Sequence, residues 1–127
     1  METYDILPNM EESKAIDALA ALAHPTRLAV FRFLLRAAPE ARAAGVVADA
    51  LGIAPATLSF HLAELRRASL IVARRESRSI MYAANDGAMR ELLGYLMADC
   101  CQGRPEICAP FLALQPIGLP RARARRR

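Results

Sequence analysis

Residues 41–83 carry the pattern that most restricts what this chain can become. A short apolar segment, Ala41 to Leu51, closes on Gly52; Ile53-Ala54 complete a tight turn, and Pro55 opens a second segment reaching Ser69. Proline suits the first turn of a helix, where its missing amide has no partner to lose, and glycine suits the residue just past a helix end. At about 100° per residue, Leu58, Leu62 and Leu65 fall on one stripe of the second segment, with Ala56, Phe60, Ala63 and Arg67 opposite. Leu70–Ala73 and Ser79–Ala83 then read as two short strands around the basic turn Arg74-Arg75-Glu76-Ser77-Arg78. Helix, tight turn, helix and basic hairpin, in that order, predict a helix-turn-helix followed by a wing.

The flanking segments fit this frame. Ser13 is placed to cap a first helix over Lys14–Ala23, with Ile16, Leu19, Leu22 and Ala23 on one face. Pro25 opens a second helix reaching Ala38, ended by Pro39, with Val30, Leu34 and a Leu28, Phe31, Leu35 row as its apolar face. Asn85 caps a last helix over Asp86–Cys100, striped by Met89, Leu92, Leu93, Leu96 and Met97. The expected fold is mainly α with a small β-hairpin, a winged helix-turn-helix in the order α-α-α-α-β-β-α. Residues 1–12 read as irregular, 13–109 as one domain, and 110–127 as an irregular tail rich in proline and arginine.

Charge points to an anionic partner. The five arginines after Pro120 account for more than the net +4, leaving −1 for residues 1–120. Within those, residues 1–20 hold five acids against Lys14, whereas residues 66–78 hold five arginines against Glu76. Such asymmetry in one small domain marks a face that meets a polyanion. No membrane partner is expected: the longest apolar stretch, Ala15 to Ala38, is broken by Asp17, His24, Arg27, Arg32 and Arg36, and the N-terminus is acidic. The expectation is therefore a cytoplasmic protein whose thiols stay reduced.

The solvent face of the Pro55–Ser69 helix is small-sided and carries a solitary aromatic. That makes sense if Phe60 or Ala56 lies against a thymine methyl while Thr57 and Ser59 donate hydrogen bonds to bases; the alternative is that Phe60 packs under the hairpin. His61 borders the core stripe and either touches a phosphate or packs beside Leu65. Arg67 lies on that same DNA-facing side of the helix, and Arg74, Arg75 and Arg78 in the hairpin would fit a wing straddling phosphates or the minor groove, the alternative being a solvated turn. Double-stranded DNA is the implied partner.

The three cysteines, Cys100, Cys101 and Cys108, fall within nine residues where the last helix pattern ends. Thiolates favour soft ions, and trivalent arsenic takes a three-sulfur pyramid where structural zinc takes four ligands. Neighbouring residues on an intact helix point about 100° apart, so Cys100 and Cys101 converge only if the helix ends. Gly103 and Pro105 supply that break. A redox sensor closing a Cys101–Cys108 bridge remains an alternative, as does a thiol-based metalloid carrier or reductase. For the latter there is no CxxC, no nearby histidine base and no glycine-rich nucleotide loop, so an enzyme and an organic cofactor are not expected.

The segments Leu22-Ala23-His24-Pro25-Thr26-Arg27-Leu28 and Leu51–Leu62, with its Ser59-Phe60-His61-Leu62, together with Leu65–Ile71, resemble the ArsR/SmtB family of metal-responsive repressors. The resemblance covers about residues 13–100. It implies a homodimer formed by the first and last helices and repression of an operon, released when an ion binds. Family members of the best-known arsenic type carry cysteines in the helix before the recognition helix, and Gly45–Leu51 has none. The cysteines here are instead similar to those of a subgroup with a vicinal pair and a third cysteine at the end of the last helix. Arsenite or antimonite is thus the implied inducer. His24 stands where aspartate is more usual, and its expected role is a helix cap.

Overall fold

The computed structural model describes residues 11–101. Five helices and a small antiparallel sheet are present: α1 Glu12–Leu22, α2 Pro25–Ala37, β1 Arg42–Ala43, α3 Ala44–Leu51, α4 Pro55–Arg67, β2 Ile71–Glu76, β3 Ser79–Ala84 and α5 Asp86–Cys101. Among the described residues, 11–92 gather into one compact unit, while α5 from Leu93 onward belongs to a second. The fold class is the expected winged helix-turn-helix.

Each helix boundary has a local cause. His24 is the N-cap of α2, its ring Nδ1 accepting from the Thr26 amide at 3.1 Å, with Pro25 following in the first turn. Gly52 ends α3 in the left-handed region at φ 66°, and the next amide, of Ile53, reaches back to the Ala48 carbonyl at 3.0 Å. That reversal turns the chain so that α3 and α4 meet at 114°, the geometry of a helix-turn-helix. α4 ends in a Schellman arrangement: the Ser69 amide bonds to Arg66 and the Leu70 amide to Leu65, at 2.9 and 3.0 Å. Asn85 caps α5 through Oδ1, which accepts from the Ala88 amide at 3.3 Å.

Val30, Phe31 and Leu34 of α2, Val47 of α3, Leu58, Leu62 and Leu65 of α4, and Leu70 and Ile71 at the start of β2 are buried together with Leu92. The three leucines of α4 are the stripe that the periodicity assigns. The contribution of α1 differs from expectation. Its buried face is Ala15, Ala18 and Ala21, while Ile16 and Leu19 stand 55% and 43% exposed. Ala15-Ala18-Ala21 and Ile16-Leu19-Leu22 are parallel apolar rows one residue apart, and hydrophobic periodicity cannot choose between them. The alanine row wins because small side chains let α1 lie close against α2 and α4. Ser13, expected as the N-cap, lies inside α1, which starts from Glu11 without a side-chain cap.

The sheet also holds a correction. The order is β1-β3-β2, with Arg42 opposite Tyr82 and Ala43 opposite Met81. The apolar pattern predicts a helix from Ala41, but two residues first pair as a strand. So short a strand has no alternation to detect, and its existence depends on β3 lying alongside. In the hairpin, β2 continues to Glu76 and β3 starts at Ser79, so the turn is only Ser77-Arg78, with Ser77 at φ 57°.

Candidate nucleic-acid interface

α4 divides cleanly into an inner and an outer face. Leu58, Leu62 and Leu65 anchor the inner one, which leaves Ala56, Thr57, Ser59, Phe60, Ala63, Arg66 and Arg67 exposed. Phe60 is 58% exposed and does not pack under the hairpin; its aromatic neighbour among the described residues is the edge of His61, 5.4 Å between ring centroids. Exposing a phenylalanine to water gives up about 2 kcal/mol of available burial, so the fold leaves this ring out at a cost.

His61 requires correction as a surface residue. Its side chain is buried, 5% exposed, on the inner edge of α4. The Arg27 guanidinium Nη1 donates to His61 Nδ1 at 3.2 Å, and the His24 ring lies 4.6 Å away, tilted by 47°. Accepting at Nδ1 assigns the ring proton to Nε2. Burial, reinforced by His24 and by the Arg27 cation and only partly offset by Glu64, holds the His61 pKa below its ordinary value. A phosphate contact needs an accessible ring, so the packing role prevails over the surface role.

Arg27 is legible in the sequence as part of the Pro-Thr-Arg motif, but with no function attached to it. Besides meeting His61, its Nε donates to the Ala21 carbonyl at 2.6 Å, satisfying a backbone group at the end of α1. Nothing in its immediate sequence signals the bond to His61, which spans 34 residues.

The wing arginines divide by register. Arg74 sits opposite Met81 and Arg75 opposite Ile80, so the two alternate onto opposite faces of the hairpin; only Arg78 lies in the turn itself. Arg74 is tied to Glu76 at 2.6 Å, which weakens the field it offers to a phosphate. Arg75 and Arg78 have no ion-pair partner among the described residues. On α4, Arg67 donates to Glu64 one turn back, and that hydrogen bond holds the Glu64 carboxyl below the usual range. The structure thus brings Ala56, Thr57, Ser59 and Phe60 onto one exposed helix surface and sets Arg75 and Arg78 on the hairpin.

Cys100 and Cys101 fall in the last turn of α5, where the helix runs one residue further than expected. Cys108, the tail arginines and residues 1–10 lie outside the described residues; of the N-terminal segment expected to be irregular, Glu12 already belongs to α1. No group of three metal-ligating side chains occurs among the described residues. No single helix among them is long and apolar enough to cross a membrane.

Comparison with known proteins points to the same architecture. A helix-turn-helix domain family matches residues 22–74. Curated proteins show no significant match. Among solved structures, HlyU from Vibrio cholerae is 34% identical over 68% of this chain and 97% of its own, with a TM-score of 0.55. A reduced form of the same protein is 32% identical, covering 66% of this chain and 88% of that one at a TM-score of 0.53. The homodimeric winged helix-turn-helix DNA-binding domain of a possible ArsR-family transcriptional regulator from Mycobacterium bovis is 26% identical, covering 72% of this chain and 90% of that one at 0.56. An ArsR-like transcriptional regulator from a Rhodococcus species shares the fold at a TM-score of 0.64, 19% identical over 80% of this chain and 92% of that one. With Pro-Thr-Arg opening its second helix, Ser-Phe-His-Leu on its reading helix and a winged helix-turn-helix fold like theirs, the chain belongs to the ArsR/SmtB family of DNA-binding transcriptional regulators.

Proposed function

We propose that this regulator is a homodimeric repressor that holds a palindromic operator until trivalent arsenic occupies Cys100, Cys101 and Cys108. The observation that carries the DNA half is the outer face of α4. Phe60 is left to solvent, on a face with Ala56, Ala63, Thr57 and Ser59, and there is no acid among the exposed residues from Ala56 to Ala63. Such a face suits base edges in a major groove, with Arg75 and Arg78, which make no ion pair among the described residues, set for the backbone and Arg67 held by Glu64.

Dimerisation is supported by apolar side chains left without cover: Ile16 and Leu19 on α1, Leu93 and Leu96 on α5. The M. bovis relative is a homodimer. Two reading helices in successive major grooves would stand about 34–36 Å apart, matching a palindrome.

The arsenic half rests on the cysteine spacing and the helix-breaking Gly103 and Pro105 between them. Ligand binding would replace thiol protons, so inducer affinity should rise with pH. Hundredfold release requires about 2.7 kcal/mol of coupling between the two sites. A redox switch is the second reading, favoured by the Cys101 and Cys108 spacing and the likeness to a protein solved in its reduced state.

The test is anisotropy of a labelled promoter fragment with reduced protein at fixed salt. Release by arsenite, lost in Cys100→Ser or Cys101→Ser variants that still bind DNA, supports the proposal. Binding that ignores arsenite but responds to peroxide and recovers with reductant moves the reading to the redox switch.

A further inference from the structure

His61 is the buried polar side chain among the described residues, and it occupies a position where a leucine would extend the core stripe. Burying an imidazole is unfavourable unless its nitrogen is satisfied. Arg27 Nη1 donates to Nδ1, and each of the ring's polar neighbours also makes a hydrogen bond to backbone. Arg27 is fixed by its second bond to the Ala21 carbonyl, and His24 by accepting the Thr26 amide that starts α2. The ring therefore pins α4 to the corner where α1 and α2 meet at 101°. On its other side it touches Phe60, the exposed aromatic of the reading face.

We propose that Arg27 and His61 are positioning residues for operator recognition, fixing α4 so that Phe60 meets the bases, and that a proton on His61 releases this pin and weakens operator binding. The inference rests on the DNA-binding reading above. A proton arriving at Nδ1 takes the lone pair that Arg27 uses, so the hydrogen bond is lost and imidazolium faces guanidinium. Relief requires α4 to turn its inner edge outward, because both partners are tied to backbone.

The surrounding charges favour this outcome. On α4 itself, Glu64 is the nearest countercharge, but Arg67 already engages it. From α1, Asp17 lines the same cleft as Arg27, Glu64 and Arg67. From α2, Arg27 and the capping His24 both oppose the proton. Asp49 of α3 and Arg74, Arg75 and Glu76 of β2 make no described hydrogen bond to the ring.

The experiment measures affinity of the full chain for its promoter fragment at constant ionic strength, with circular dichroism verifying that the free protein stays folded. Between about pH 7.5 and 5.5 the wild type should lose about tenfold in affinity, a scale set by one proton per site. His61→Asn keeps an acceptor in the place of Nδ1 and cannot gain a proton, so it should bind well at the upper pH and stay flat below it. Arg27→Gln keeps a donor without the charge, so its pH response should move to higher pH. A flat wild-type profile, or His61→Asn retaining the wild-type slope, overturns the proposal. If His61→Asn does not fold, an unmoved midpoint in Arg27→Gln overturns it instead. Absence of specific binding at every pH sinks the operator reading first, and this proposal with it.

Discussion

The side-chain amide of Asn85 donates to the carbonyl of Ser69 at 2.9 Å, while the Asn85 backbone amide donates to Leu70, also at 2.9 Å. The same side chain caps α5 through its oxygen. One residue therefore joins the end of the reading helix, the start of β2 and the start of the helix that carries Cys100 and Cys101.

Removing this clasp should cost stability in two separable parts. Asn85→Ala loses both the cap and the Ser69 bond and should destabilise by about 1–2 kcal/mol. Asn85→Asp keeps the capping oxygen and loses only the donor, so it should destabilise less. Chemical denaturation of both variants decides the matter; equal losses would mean that the Ser69 bond alone counts.

Ser69 closes α4 at φ 65°, a conformation that costs a residue with a Cβ about 1–2 kcal/mol. Ser69→Gly removes that strain against a smaller entropic cost and should raise stability by about 0.5 kcal/mol. Ser69→Val, β-branched at a left-handed position, should lower it by about 1 kcal/mol or more. The melting temperatures should move in opposite directions.

His61 predicts how stability follows pH. Its folded pKa lies below the ordinary histidine value of about 6.5, so the unfolded chain binds this proton more readily. The contribution is fully present above that value, declines as pH falls toward the folded pKa, and is then lost. For one proton the slope cannot exceed about 1.4 kcal/mol per pH unit. The difference in unfolding free energy between wild type and His61→Asn should shift against the wild type on acidification; a constant difference would show that His61 does not titrate between the two states.

The wing and the reading helix should fail differently. Arg78→Ala removes a charge that has no ion-pair partner among the described residues and should lower the salt dependence of binding, by about 0.9 in the log–log slope for each phosphate left without its cation, across all sequences. Arg74→Ala, already paired to Glu76, should change it less. Phe60→Ala should weaken operator binding by about tenfold while leaving non-specific binding alone, since apolar side chains read bases and not phosphates. Equal losses on operator and random DNA would argue against base reading by Phe60.

Much of the fold is legible in order along the chain. Gly52 and Pro55 announce the turn, the Leu58, Leu62, Leu65 spacing orients α4, and the exposed Phe60 follows from the opposite phase. The boundaries of the wing are less visible: Arg74 and Arg75 look like turn residues because charge is common there, yet pairing with Met81 and Ile80 extends the strand through them.

The sequence alone determined the five helices and the hairpin and their order, because glycine, proline, capping residues and apolar period act within a few residues of themselves. Tertiary structure decided what depends on distant partners. β1 exists only beside β3, and α1 turns its alanines inward because only they allow a close approach. His61 is a buried pin and not a phosphate ligand because Arg27, 34 residues away in the chain, stands 3.2 Å from its ring. A helical wheel places a side chain at the border of a face; which side of that border it takes is settled by the group that satisfies it.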